Sequence, residues 1–445
     1  MSREQEILEQ LKTIIDPDLG KDIVTLGFVK DLEISEAGDV RFNLELTTPA
    51  CPVKEEFRTS CSEALAKLSW VSSVAVNMTA AAGRPGVAQA GGGLAKVKHI
   101  IGVASCKGGV GKSTVAVNLA FTLAGMDAAV GIFDADIYGP SLPTMVGADF
   151  EGLYQHENQI MPVETNGVKL MSFGYASANT GGGPAIMRGP MVTQVINQLL
   201  TGTGWGELDY LVIDMPPGTG DIQLTISQLV SMTAAIMVTT PQQISFVDVV
   251  KGIEMFDKVN IPTVAVIENM SYFECAQCGT RHELFGAGAM KQLVNQFGIA
   301  NSFAIPLDAD VSRLSDSGQP VVLAEPESVV TSIYREVAAA TVREISKIVF
   351  GGESKPEVAF EPDQGILFTT GDGASAFIAP AVLRRNCRCA NCINEMTGAR
   401  TLKDEDVSDD IRPETIRSMG NYAVNVEWSD GHTSIYPYAM LEQLV

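Results

Sequence analysis

The sequence predicts an α/β fold for its long middle part, a mostly parallel sheet covered by helices, with a small α+β block before it and a small strand-rich block after it. Three observations carry this reading. Short apolar runs at residues 100–104, 130–133, 210–213, 235–238 and 263–267 alternate with helical segments, the pattern of parallel strands buried on both faces. A glycine-rich run, Cys106-Lys107-Gly108-Gly109-Val110-Gly111-Lys112-Ser113-Thr114, stands between the first of these strands and a helix-like run at 115–123. Two stretches poor in large apolar groups, 80–98 and 351–362, divide the chain into blocks 1–79, 99–350 and 363–445.

At 445 residues the chain is too long for one ordinary core. A formal charge of −22 and a pI near 4.6 argue against nucleic acid as a partner and against an anionic membrane face. No apolar run is long enough for stable membrane insertion, and the start Met1-Ser2-Arg3-Glu4 carries no secretory signal, so a soluble protein is expected.

In the first block, Ser2-Arg3-Glu4-Gln5 has the form of a capping box ahead of a helix whose apolar residues Ile7, Leu11, Ile14 and Ile15 recur at helical spacing. Val40, Phe42, Leu44 and Leu46 alternate as a half-buried strand, and a second amphipathic helix follows Pro52. The stretch 80–98 reads as a flexible coil that would span roughly 20–25 Å. The middle block ends with a helix to about residue 349, and the Gly-, Pro- and charge-rich stretch 351–362 reads as a second linker.

The glycine run is a phosphate loop. Its backbone N–H groups and the following helix N-terminus suit a triphosphate, so Gly108, Gly109, Val110, Gly111, Lys112, Ser113 and Thr114 are expected to bind ATP. Lys112 would reach the outer phosphates and Ser113 would ligate Mg²⁺. Lys107 precedes the first glycine and can hardly fold back onto its own loop. Reaching across a two-fold axis to a partner's nucleotide, it predicts a homodimer. Asp134-Ala135-Asp136 and Leu211-Val212-Ile213-Asp214 place carboxylates at strand ends, where ligands of open α/β sheets bind. Asp136 is suited to orient the attacking water, Asp214 to hold Mg²⁺ through water, and Gly218 and Asp221 to sense the γ-phosphate.

The two lysines about this loop resemble the deviant Walker A ATPases, in which the first lysine acts across a dimer. The phosphate loop, the run at 134–141, Arg188-Gly189-Pro190, the run at 214–221 and Glu268-Asn269-Met270-Ser271-Tyr272-Phe273 together resemble the Mrp/ApbC family of iron–sulfur cluster carriers over most of residues 99–350. This resemblance implies a P-loop NTPase domain there. It also implies that Asn269 reads adenine with Pro306, Leu307 and Asp308 along the base, and that the chain hydrolyses ATP slowly while serving upstream cluster donors and apo iron–sulfur clients. Arg188 has no role derivable from its chemistry.

Five of the eight cysteines cluster as Cys275-x-x-Cys278 and Cys387-x-Cys389-x-x-Cys392, spacing suited to metal or cluster ligation in a reducing compartment. One Cys-x-x-Cys supplies two thiolates where a 4Fe–4S cube needs four, so a dimer would complete the set; half a zinc knuckle is the other reading. The family resemblance implies the bridging cluster. Cys51, in Thr47-Thr48-Pro49-Ala50-Cys51-Pro52, stands ahead of a helix that Pro52 would open, where a thiol's pKa is lowered, and is a candidate for transient cluster or target contact; a packed loop cysteine is the other reading. With the run at 16–27, residues 1–79 resemble the small domain of cytosolic iron–sulfur targeting factors. Cys61 falls on the apolar stripe of its helix and reads as core, and Cys106 as packing behind the strand.

In the last block, Cys387, Cys389, Cys392 and the downstream His432 make a candidate closed Zn²⁺ site; a second cluster on the three cysteines is the rival. Residues 383–438 resemble the amino-terminal domain of γ-butyrobetaine hydroxylase-type proteins. The order of the three blocks resembles the chloroplast branch of the carriers, which implies a stromal location and photosystem I and related apo-proteins as clients; a bacterial cytoplasm is the alternative. Two other classes share the loop. A positioning ATPase of the partition or septum type would need a basic face or a terminal amphipathic helix, and the segment 436–445 has no Lys or Arg. An ATP-coupled redox protein of the nitrogenase iron-protein type shares both loop and bridged cluster.

Overall fold

The computed structural model describes residues 2–80, 92–148, 150, 152–178, 189–218, 220–275, 277–286, 290, 299, 301–350, 356–371, 373–389, 391–393, 399–419 and 422–445. Arg188 lies outside them. In chain order the elements begin with α1 (Arg3–Leu11), β1 (Val29–Ile34), β2 (Asp39–Leu46), α2 (Lys54–Leu65) and β3 (Ser73–Ala80). Then come β4 (Val97–Ala104), α3 (Lys112–Gly125), β5 (Val130–Asp134), α4 (Leu142–Met145), β6 (Gln155–His156), β7 (Gln159–Ile160), β8 (Val163–Thr165), β9 (Val168–Ser172), α5 (Phe173–Ala178) and α6 (Gly189–Gly202). The chain continues with β10 (Leu208–Asp214), α7 (Asp221–Leu229), β11 (Ala234–Thr239), α8 (Gln243–Lys258), β12 (Thr263–Glu268), β13 (Phe273–Glu274), β14 (Arg281–His282) and β15 (Ser302–Ala304). After the helix Val329–Phe350 follow β16 (Glu357–Glu361), β17 (Gly365–Thr369), β18 (Ser375–Ile378), β19 (Pro413–Met419), β20 (Ala423–Trp428) and β21 (Thr433–Pro437).

The central sheet has eight strands in the order β15-β12-β11-β4-β10-β5-β9-β8. β15, β12, β11 and β4 pair in parallel, as do β5 and β9, whereas β8 is antiparallel to β9. Every residue of β10, β11 and β12 is buried, as strands covered on both faces require. The α/β class with its mostly parallel sheet is as the sequence predicts.

The chain forms two compact units, one comprising Met1–Ile100, Ala116–Ile213 and Leu314–Gly352, the other Ile101–Val115, Asp214–Arg313 and Glu353–Val445. In the first, the capping box is formed: Ser2 Oγ accepts from Gln5 N at 3.2 Å, and Gln5 Oε1 from Ser2 N at 3.1 Å. α1 and α2 pack Ile7, Leu11, Phe57, Cys61 and Leu65 on the sheet β1-β2-β3, from which Val40, Phe42, Leu44 and Leu46 point inward. Cys61 is core, as its stripe predicts.

The apolar-poor stretches are shorter than the sequence reading makes them. β3 reaches Ala80, and on the far side Leu94 is buried and β4 begins at Val97, because these apolar residues find the core. Gly93 N donates to Thr201 O at 2.8 Å, and a Cβ at Gly93 would stand 1.7 Å from Thr203 O, so only glycine fits this approach. Within 351–362, β16 pairs antiparallel with β17, and Val358 and Phe360 pack on the last core. That alternation is concealed in the sequence by its Gly- and Pro-rich flank. In the second unit this core gathers Ile366, Phe368, Leu383, Val424, Val426, Trp428 and Tyr436.

Candidate functional site

In the second unit, β4 ends at Ala104 and the glycine loop carries the chain into α3. Gly109 and Gly111 take φ of +76° and +83°, the left-handed conformation that turns successive N–H groups toward one side. Lys112 Nζ lies against Asp214 Oδ1, both side chains buried, and 3.3 Å from Ser113 Oγ. The loop candidates Lys112 and Ser113 are therefore brought together with Asp214. Two bonds tie the segment after β10 to the start of the phosphate loop: Gly218 N donates to Ser105 O at 3.0 Å, and Gln223 Nε2 to the same oxygen at 3.4 Å. Asp221 opens α7.

Lys107 Nζ lies 3.2 Å from Asp248 Oδ2 on α8, a partner that no sequence signal marks. The Cys106 thiol donates to Asp248 O at 2.9 Å, and burial pushes its pKa up to about 11, the packing role expected of it. Asn269, expected to read adenine, is buried, and its Nδ2 donates to Val110 O at 2.9 Å. Pro306, Leu307 and Asp308 run beside the same segment: Ile305 N donates to Glu268 O at 2.9 Å and Leu307 N to Tyr272 O at 2.7 Å.

The hairpin β13–β14 follows. Cys275 is half-buried and Cys278 exposed at its tip, which is closed by Cys275 N donating to Thr280 O at 3.0 Å and Gly279 N to Cys275 O at 2.8 Å. Cys278 Sγ lies 3.2 Å from Thr280 Oγ1, and hydrogen bonding from Thr280 lowers the Cys278 pKa. Arg281 braces the hairpin, with Nε 3.0 Å from Glu274 Oε2 and the guanidinium 4.5 Å from the Tyr272 ring centre.

In the last block of the same unit, His432 Nε2 lies 3.4 Å from Cys387 Sγ, 3.4 Å from Cys389 Sγ and 3.7 Å from Cys392 Sγ. The four ligand atoms fall within 4.8 Å of one another. Sequence reasoning missed the shell around them. The buried Arg384 directs Nη1 at Cys392 Sγ, 3.6 Å away, and pairs through Nε with Asp430 at 3.0 Å, while the Ser434 hydroxyl lies 3.1 Å from Cys387 Sγ. Hydrogen bonding with Cys387 holds the Cys389 thiol well below the usual thiol range.

In the first unit, Asp134 is buried and organises the turn after β5. Its Oδ1 accepts from Asp136 N at 3.0 Å, and its Oδ2 from Ser141 N at 3.1 Å, Leu142 N at 3.2 Å and Ser172 Oγ at 3.0 Å. The half-buried Asp136 accepts from Gly139 N at 3.3 Å. Cys51 departs from the sequence reading: α2 begins at Lys54 with Val53 as its cap, so the thiol is not at the helix opening. Burial pushes its pKa up to about 11, where a lowered value was expected. The surrounding turn is pinned by Tyr210 Oη donating to Thr48 Oγ1 at 2.8 Å and by Thr47 Oγ1 3.0 Å from Ser346 Oγ.

Comparison with known proteins gives three matches along the chain. Residues 96–342 match the family described as NUBPL iron-transfer P-loop NTPase, residues 4–78 iron-sulfur cluster assembly protein, and residues 363–442 gamma-butyrobetaine hydroxylase-like, N-terminal. The chloroplastic Fe-S cluster assembly factor HCF101 of Arabidopsis thaliana is 51% identical over 449 residues, covering 99% of this chain and 82% of that relative. An iron-sulfur cluster carrier protein of Deinococcus radiodurans is 41% identical over 345 residues, covering 76% of this chain and 95% of its own length. A solved nucleotide-binding protein in complex with ADP from Archaeoglobus fulgidus is 37% identical and covers 54% of this chain and 94% of its own, at a TM-score of 0.48. With a match over more than half of its length and relatives this similar, the chain belongs to the NUBPL iron-transfer P-loop NTPase family.

Proposed function

We propose that the chain is an ATP-hydrolysing scaffold that holds a 4Fe–4S cluster between two copies of itself and passes it to apo-protein clients. The observation that carries this reading is an exposed two-cysteine hairpin joined to a phosphate loop by a buried asparagine. Cys275 and Cys278 supply half of the four thiolates that a cube takes, and a second copy supplies the rest. An exposed, shared site can release its cargo, which a closed one cannot.

On nucleotide, the loop N–H groups of 108–114 would receive the phosphates, Lys112 would leave Asp214 for the outer phosphates, and Asp214 and Ser113 would turn to Mg²⁺. Gly218 and Asp221 stand for γ-phosphate sensing, Asp136 for orienting water, and Asn269 with Pro306, Leu307 and Asp308 for the base. Lys107 would exchange Asp248 for the partner's nucleotide. The homology to chloroplastic assembly factors supports a stromal location, and photosystem I and related apo-proteins are the clients we infer from the resemblance in block order.

For Cys387, Cys389, Cys392 and His432 we infer one structural Zn²⁺. Donor separations of 3.4–3.7 Å match a tetrahedron around a single ion, with arms of about 2.3 Å to sulfur and about 2.0 Å to nitrogen. A cube places each ligand on a different iron and spreads the donors farther apart. Ligation there would contribute folding free energy to the last block.

Anaerobic reconstitution tests the scaffold. Wild type is expected to gain iron and acid-labile sulfide, to sediment as a dimer when loaded, and to transfer the cluster to an apo-ferredoxin without net electron delivery. Cys275→Ala with Cys278→Ala should abolish loading, and Lys107→Ala should slow turnover; full iron in the double cysteine variant, or loaded monomers, would overturn the proposal.

A further inference from the structure

Val110 sits between the two left-handed glycines of the phosphate loop, and its carbonyl accepts from Asn269 Nδ2 at 2.9 Å. The fit is close, since a Cβ at Gly111 would stand 2.1 Å from that nitrogen. Asn269 is only 8% exposed, and its own N–H donates to Thr239 O at 2.8 Å, so the side chain has little freedom to swing away. From there to Cys275 the chain is held at nearly every step. Ser271 N donates to Ile305 O at 2.9 Å, Tyr272 O accepts from Leu307 N at 2.7 Å, and the Tyr272 ring carries the Arg281 guanidinium that also clamps Glu274. A movement of the Val110 carbonyl therefore has a short, braced path to the thiol-bearing tip.

We propose that Asn269 is the positioning residue that couples the phosphate loop to the Cys275/Cys278 hairpin. Phosphate engages the N–H groups flanking Val110 and turns the intervening carbonyl, which breaks or re-aims the Asn269 amide and with it the hairpin. The coupling rests on the scaffold reading for its purpose, but its test requires no cluster.

Alkylation of Cys278 by N-ethylmaleimide is followed by peptide mass mapping on the full chain without iron, with and without saturating Mg²⁺ and a non-hydrolysable ATP analogue. Wild type is expected to change rate with nucleotide by about fivefold or more, the lower end of ordinary coupling. Asn269→Asp, which keeps the shape but offers no amide donor, should bring the ratio to one at nucleotide concentrations shown by equilibrium dialysis to saturate it. Arg281→Ala cuts the path beyond the loop and should reduce the ratio likewise with nucleotide binding intact, so the inference remains testable if Asn269→Asp binds nucleotide poorly. A wild-type ratio of one, or an undiminished ratio in Arg281→Ala or in nucleotide-saturated Asn269→Asp, overturns the coupling. Failure of wild type to acquire iron on reconstitution would instead overturn the scaffold reading while leaving this ratio as measured.

Discussion

Substituting alanine at the two left-handed glycines of the phosphate loop should have unequal consequences. Gly109 and Gly111 adopt similar φ, +76° and +83°, so each alanine incurs about 1 kcal/mol for the left-handed backbone. At Gly109 nothing lies within 4 Å of the new Cβ, and the cost ends there. At Gly111 the Cβ would meet Asn269 Nδ2 at 2.1 Å, so the amide must leave Val110 O. Breaking that buried hydrogen bond and leaving its groups unpaired costs about 1–3 kcal/mol more. Gly111→Ala is thus expected to destabilise the chain by about 2 kcal/mol more than Gly109→Ala. Urea unfolding without nucleotide, followed at the transition that Mg-ATP shifts, measures both variants. Repeating Gly111→Ala in an Asn269→Ala background closes a double-mutant cycle, in which the excess should vanish. Equal losses for the two glycines, or an excess that persists without the asparagine, would refute the reasoning.

Other consequences can be measured independently. Wild type should retain about one zinc per chain on gel filtration, a single ion being what four converging donors hold, and Cys389→Ala should lose the metal and melt at lower temperature; an unchanged metal content refutes the site. His99 is lowered to about 4, chiefly by burial and also by Lys98. The folded state therefore favours its neutral form, and stability should be full above pH 6.5 and lost as pH falls toward 4, by about 3 kcal/mol over that interval. Urea midpoints that stay flat between those two pH values would contradict it. At neutral pH iodoacetamide should label Cys278 well before Cys51, because burial raises the Cys51 pKa to about 11 and Thr280 lowers that of Cys278. Labelling of Cys51 first would mean that its surroundings open readily.

Much of the fold is legible because it depends on neighbours in the chain. The Ser2–Gln5 cap, the alternation of β2 and the continuous apolar runs of β10 to β12 follow from local spacing, and each appears where it is expected. β16 escapes notice because five residues beside a Gly- and Pro-rich flank carry too little pattern until β17 pairs with them. Cys51 is misread for a related reason: proximity to a helix start is visible in the sequence, whereas burial under a turn tied to Tyr210 and Ser346 is not.

The sequence by itself determined the glycine loop, the alternation of strand and helix, the cysteine spacings and the family, since each is written in residues close together along the chain. The tertiary structure alone decided that Asn269 lies on Val110, 159 residues away, that Asp248 faces Lys107, and that Arg384 and Ser434 approach the sulfurs of Cys392 and Cys387. Those contacts arise from the approach of distant segments once the sheet and the last core have formed. A side chain's partner across the fold is set by packing, and no short-range pattern records it.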